Sequence, residues 1–144
     1  MADPLSPERR SANMRAIGSK DTIPELAVRR AVNALGYRFR LHRRDLPGKP
    51  DLVFPRLRKI IFVHGCFWHQ HPVCREGRIP ASRHAYWVPK LARTVERDAE
   101  HLAGLDAMGW HVLTIWECET VDRERLTDQL AEFLREPVAA AQDP

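Results

Sequence analysis

Apolar residues recur in two different rhythms along this chain. Leu26, Ala27, Ala31, Val32 and Leu35 follow the three-to-four spacing of one helical face, with Arg29, Arg30 and Asn33 off the stripe. Thr22 precedes the pattern as a cap, Pro24 suits a first turn, Glu25 falls at the capping-box position, and Gly36 stops the run. The rhythm then switches to strict alternation in Tyr37-Arg38-Phe39-Arg40-Leu41, a strand with its apolar face inward. Leu46-Pro47-Gly48-Lys49-Pro50 is a turn, Asp51–Phe54 a second strand, and the β-branched apolar run Ile60-Ile61-Phe62-Val63 a third, buried one.

Residues 65–88 carry little periodic pattern and read as a long loop, which a compact domain tolerates when the loop is functional or tied down. Leu91, Val95, Leu102, Leu105 and Met108 mark an amphipathic helix from about Pro89 to Met108, ended by Gly109. Asp98 sits on that stripe, where an acid has to be paired, protonated or used. Trp110–Trp116 is a fourth strand, with Trp110 and Trp116 expected in the core, and Asp122–Leu134 a last helix. The predicted order is α-β-β-β-α-β-α, an α/β fold in which a mixed sheet is flanked by helices. Residues 21–136 form one domain, preceded by a polar, basic arm (1–20) with a short helix at Ser11–Arg15 and followed by a disordered tail (137–144).

Composition narrows the class. With 144 residues, 44% hydrophobic and 29% charged, the chain is globular and large enough to bury a core. No apolar run approaches a membrane span and no signal peptide opens the sequence, so the expected location is cytoplasmic. Three cysteines cannot all pair with one another, and a reducing compartment with metal-bound thiolates is the simpler account. The net charge of +4 is a weak hint of a polyanionic partner; its distribution is a stronger one. Arg29, Arg30, Arg38, Arg40, Arg43, Arg44 and Lys49 face a single acid, Asp45, in one stretch, either a nucleic-acid footprint or a solvated face.

The chemistry concentrates in Val63-His64-Gly65-Cys66-Phe67-Trp68-His69-Gln70-His71-Pro72-Val73-Cys74, with three histidines, two cysteines and two adjacent aromatics in twelve positions. Gly65 breaks the strand, so His64 lies at a strand end and the rest on the loop after it, where such folds place their chemistry. Cys66, His71 and Cys74 have metal-ligand spacing, and Cys118 completes a Cys3His set suited to zinc rather than magnesium; ordinary core cysteines are the alternative. His64 and His69 are then free for acid–base work.

The element order, with Pro50-Asp51 opening a strand, is similar to that of the restriction-endonuclease-like nucleases, whose aspartate at this place holds magnesium. The acid-x-lysine pair that many relatives carry on the next strand is missing from Ile60–His64. A narrower likeness accounts for the departure. Asn13-Met14-Arg15, Leu46-Pro47-Gly48-x-Pro50-Asp51, the His64–Cys74 string, Pro80-Ala81-x-Arg83, Val95-Glu96-Arg97-Asp98 and Trp116-Glu117-Cys118 resemble the very short patch repair (Vsr) DNA mismatch endonucleases from about residue 10 to 135.

That resemblance implies a monomeric, nucleoid-associated bacterial-type enzyme that nicks duplex DNA 5′ to the thymine of a T·G mismatch left by deamination of 5-methylcytosine. It further implies contacts with other mismatch-repair proteins. Asp51 would bind magnesium by its carboxylate and Val63 by its backbone carbonyl, a position where relatives often carry threonine. His69 would move the proton, His64 and Asp98 would position waters around the magnesium, and Glu25 would support the site unless its capping role is its whole function. Cys66, His71, Cys74 and Cys118 would hold a structural zinc. Phe67, Trp68 and Trp87 would form an intercalating wedge, with Met14 and Arg15 clasping the other groove. Thr94 stands where relatives often have asparagine. Rival expectations are a nuclease of the same fold without mismatch preference and a non-catalytic, zinc-stapled DNA-binding module.

Overall fold

The computed structural model describes residues 22–72, 74 and 78–135. The expected arm, with Met14 and Arg15, and the expected tail lie outside the described residues.

Helix α1 spans Ile23–Ala34, with the Glu25 N–H donating to the Thr22 hydroxyl at 3.3 Å and Gly36 at φ 89° just past its end. Strands β1 (Arg40–Leu41), β2 (Leu52–Phe54), β3 (Lys59–His64) and β4 (His111–Trp116) form one sheet in sequence order. The first two pairings are antiparallel; β3 and β4 run parallel, joined by the crossover helix α2 (His84–Ala107). A 3-10 turn at Glu117–Thr120 leads into α3 (Arg123–Arg135). The described element order is the one the patterning predicts.

Period-two alternation divides the core into two layers. Leu52, Phe54, Ile61 and Ile115 pack beneath Ala27, Val28 and Val32 of α1 and Leu126, Leu130 and Leu134 of α3. Val53, Ile60 and Phe62 face the other way, against Leu105 of α2, Leu46 and Trp110. The result is a mixed sheet with two helices on one face and one on the other. Burying the β3 side chains on both faces stabilises by roughly 1.5–3 kcal/mol for each large aliphatic residue.

Three expectations change. β1 is two residues long, because β2 offers only a short partner before the Pro55 turn; Tyr37 and Phe39 still pack on the core. α2 begins at His84, so Trp87 lies on a helix rather than at a loop end, and Pro89 is inside the helix. Its start has no side-chain cap: Arg83 sits in the left-handed region at φ 57° and its carbonyl accepts from the Tyr86 and Trp87 N–H groups. The expected apolar stripe of α2 is also narrower, since Leu91 and Leu105 are buried while Val95, Leu102 and Met108 are more than a third exposed. The helix meets the sheet along the 91–98–105 line, which puts Asp98 between its two anchors.

Candidate active site and metal centre

A cleft of about 610 Å3 opens where the end of β3, the start of α1 and the middle of α2 converge. Glu25, Asp51, Val63, His64, His69 and Asp98 all line it, so the residues expected to share a site are brought together.

Asp51 precedes β2 and is anchored by the backbone of β3, whose Val63 N–H donates to its Oδ2 at 2.7 Å. Burial pushes the Asp51 carboxyl up to about 7; the Val63 N–H opposes the rise, nearby Glu25 adds to it, and Arg29 pulls the other way. Glu25 itself is 2% exposed. Its side chain does not close a capping box; it ion-pairs with Arg29 one turn on and meets Nε2 of His42 at 2.6 Å. Capping is therefore Thr22's work, and the Glu25 carboxylate belongs to the cleft.

His64 and His69 stack face to face, with ring centroids 3.7 Å apart and planes within 8°. His69 Nδ1 lies 2.6 Å from Asp98 Oδ2, which leaves Nε2 on the far side of the ring. The chain has folded Asp98, on the buried line of α2, against a histidine that the loop returns to the sheet end: the His69 N–H donates to the Gly65 carbonyl at 3.1 Å. Burial pushes His64 down to about 4, with His69 adding to the effect and Asp98 opposing it, so its ring is neutral near pH 7. The Pro47-Gly48 turn supports this wall: a Cβ at Gly48, at φ 79°, would come within 3.1 Å of Phe62 and His101.

Separately, the side chains of Cys66, His71, Cys74 and Cys118 converge with ligand atoms all within 4.8 Å of one another. Cys66 Sγ and Cys118 Sγ lie 3.8 and 3.5 Å from His71 Nδ1. A tetrahedral ion with bonds of about 2.0–2.3 Å separates its ligand atoms by roughly 3.5–3.8 Å, so this Cys/His group fits a metal ion of zinc's size and softness. Burial raises the Cys66 thiol to about 12 and also raises Cys118. All three cysteines are free of disulfides. The Glu25–Asp51 end offers hard oxygen donors instead, and two neighbouring carboxylates, one buried and one half-buried, suit a divalent cation.

Phe67, Trp68 and Trp87 form a three-ring cluster, with centroids 5.2–5.7 Å apart, and Phe67 and Trp68 also line the cleft. Tyr86 extends it, and Lys90 lies over both Trp68 and Tyr86. Trp116, expected in the core, is instead half-buried; it stacks on His71 at 4.3 Å and meets the His64 ring edge-on at 5.4 Å. Trp110 is in the core. The basic stretch is only partly free: Arg29 pairs with Glu25 and Arg43 with Asp45, while Arg30, Arg38, Arg40, Arg44 and Lys49 are exposed. Sequence reasoning missed His42 and His101. His101 follows Asp98 by three residues on α2, a helical-face signal; His42 has no periodic signal at all.

The family described as "DNA mismatch endonuclease Vsr" matches residues 2–75. The Vsr DNA mismatch endonuclease of Escherichia coli (strain K12) is 43% identical over 94% of this chain and 87% of its own. This chain belongs to the Vsr family. The type II nicking enzyme V.XorIIP of Xanthomonas oryzae pv. oryzae is 52% identical over 93% of the Vsr-family chain and 98% of its own. V.NmeAIP of Neisseria meningitidis, also named a type II nicking enzyme, is 35% identical over 94% and 96%. The chain is therefore a Vsr-family DNA endonuclease. Among the described residues no helix is long and apolar enough to cross a membrane.

Proposed function

We propose that this endonuclease nicks one strand of duplex DNA 5′ to the thymine of a T·G mismatch, using magnesium for catalysis and zinc for structure, on a restriction-endonuclease-like fold. The observation that carries the reading is the convergence in one cleft of the half-buried Asp51 carboxylate and the His64–His69–Asp98 chain, beside a three-ring cluster. Relatives named for mismatch cleavage and for nicking support the same reading.

Asp51 would hold the magnesium with its carboxylate and Val63 with its backbone carbonyl. Magnesium there supplies charge stabilisation at the phosphodiester oxygens. Asp98 fixes the Nδ1 side of His69, so that Nε2 exchanges the proton with the attacking water or the leaving oxygen. His64, neutral and stacked on His69, keeps that ring in plane and, with Asp98, orients water at the reacting phosphate. Glu25 borders the far wall, held by Arg29 and His42. Cys66, His71, Cys74 and Cys118 would fill all four positions around a zinc ion, so that ion would be structural, with no place for a reactant.

Phe67, Trp68 and Trp87 pry between base pairs at a cost of a few kcal/mol per unstacked step. A mismatched step unstacks more easily, so the wedge selects by deformability as well as by contact. The Met14–Arg15 arm grips the opposite groove. Nicking of a labelled T·G duplex against its T·A control, with and without magnesium, tests the reading. Equal nicking of both duplexes removes the mismatch assignment, and nicking without a divalent ion removes the Asp51 role.

A further inference from the structure

We infer that Lys49 and Arg97 clamp the phosphate immediately 5′ to the scissile one, and so fix the polarity of the nicked strand along α2. The inference rests on the reading of the cleft as a nicking site with Phe67, Trp68 and Trp87 as its wedge, and deepens it.

Four carboxylates line the cleft, on Glu25, Asp51, Asp98 and Glu117, and together they repel a phosphodiester. Glu25 is answered by Arg29 and Asp98 by His69. Two further cations line the same cleft, Lys49 from the turn before β2 and Arg97 from α2. Both are exposed, and neither has an ion-pair partner among the described residues. Free ammonium and guanidinium groups converging on one cleft from two elements are suited to a phosphate, the guanidinium by its fork of donors and the ammonium as a point charge.

The turn that carries Lys49 is locked to α2 at a definite height. A Cβ at Gly48 would come within 3.1 Å of His101, and one at Gly104 would come within 3.3 Å of Pro47. Lys49 follows at φ 48°, in the left-handed region, with its N–H donating to the Leu46 carbonyl at 3.1 Å. Three features therefore succeed one another along α2: the rings around Trp87 near its start, the His69–Asp98 pair at its middle, and the Lys49 turn at His101 and beyond. A nick 5′ to the mismatched thymine puts that thymine, and the wedge that pries at it, on the 3′ side of the scissile phosphate. The 5′ side of the strand then runs towards Lys49. From Asp98 to His101 the helix advances about 4.5 Å, the scale of the roughly 3.4 Å rise of one nucleotide, so the first phosphate on that side falls to the clamp.

The test uses zinc-replete full-length protein without added magnesium, so that binding is read in the absence of cleavage. Three T·G duplexes are compared: natural, or carrying one neutral methylphosphonate at the phosphate 5′ or 3′ to the scissile one. Lys49→Gln and Arg97→Gln should each weaken binding of the natural duplex about tenfold and lower the slope of affinity against salt by about one. The 5′ methylphosphonate should weaken the parent by a similar factor and weaken neither variant further. Lys49→Asn, whose side chain tolerates the left-handed backbone, should match Lys49→Gln at the parent's melting temperature, and Lys49→Arg should restore most of the affinity. The T·G over T·A binding ratio should stay within about twofold in every variant, because a phosphate contact carries no base information. Losses that multiply when a variant meets the 5′ methylphosphonate, or coupling to the 3′ neighbour instead, overturn the inference. A parent that nicks with magnesium at some place other than 5′ to the thymine fails the underlying reading, and cleavage mapping shows this separately from the binding coupling.

Discussion

Cys66, His71, Cys74 and Cys118 surround a point with four protein side chains, whereas Glu25, Asp51, His64, His69 and Asp98 surround an open cleft. Both sets draw on the short stretch from the end of β3 into the loop after it, which gives His64 and His69 to the cleft and His71 to the cysteines. A closed set of nitrogen and sulfur donors saturates an ion and spends its binding on folding. An open set of carboxylates and imidazoles keeps room for water and a phosphate, and tolerates strain to do so. The raised Asp51 carboxyl and the depressed His64 reflect the desolvation of charged groups at that cleft. On the proposed reading the two neighbouring regions would divide the work, one fixing the loop and the other leaving chemistry exposed at its edge.

The sharpest way to break that division is to damage one side and read the other. Asp51→Ala should cut nicking by on the order of 10³-fold while duplex affinity stays within about threefold, measured by cleavage and by binding of the same labelled DNA. A parallel collapse of binding would mean that the cleft is not catalytic alone. On the closed side, a strong zinc chelator or Cys118→Ser should lower the melting temperature by about 10 °C or more, since structural zinc contributes folding free energy. Melting indifferent to chelation would remove the structural role. Replacing Phe67 and Trp68 together with alanine should leave cleavage chemistry in place but reduce the T·G over T·A preference by about tenfold. An unchanged ratio would move mismatch selection elsewhere.

The smallest effect is a stability change with pH. The Asp51 value is raised from 3.8 to about 7 in the folded protein. Its favourable protonated form is therefore fully present below pH 3.8, and the stability it allows is lost as pH rises through about 7. Without divalent metal, Asp51→Asn should match the parent's melting temperature near pH 4 and exceed it by a few degrees at about pH 8, with the amide oxygen still accepting from Val63. Magnesium should narrow that gap by stabilising the parent alone. A gap that stays constant with pH would show that Asp51 titrates normally.

Much of this was legible in the residues because the signals were local. Two rhythms of apolar positions gave the elements in order, and clustered donors gave the thiolate set and its distant fourth member, Cys118. What escaped depended on tertiary contacts. The start of α2 carries no capping side chain, and Pro89 imitates a first-turn proline, so Trp87 read as loop. Glu25 satisfies a capping pattern in sequence, yet the ion pair with Arg29 and the contact with His42 take its side chain elsewhere. Trp116 ends an apolar strand and so read as core; only the parallel pairing that sets it beside His64 gives it another neighbour. His42 depends on one left-handed backbone angle, which no periodicity announces.

The alternation of β3 has a consequence for how this chain can change length. Val63 and His64 are consecutive, so one inserted or deleted residue within Lys59–His64 would exchange the faces to which they point and take His64 out of the cleft. The exposed turn at Pro55 and Arg56 carries no such parity. Natural or engineered insertions between Asp51 and His64 should therefore collect at that turn, and the strand should keep its count.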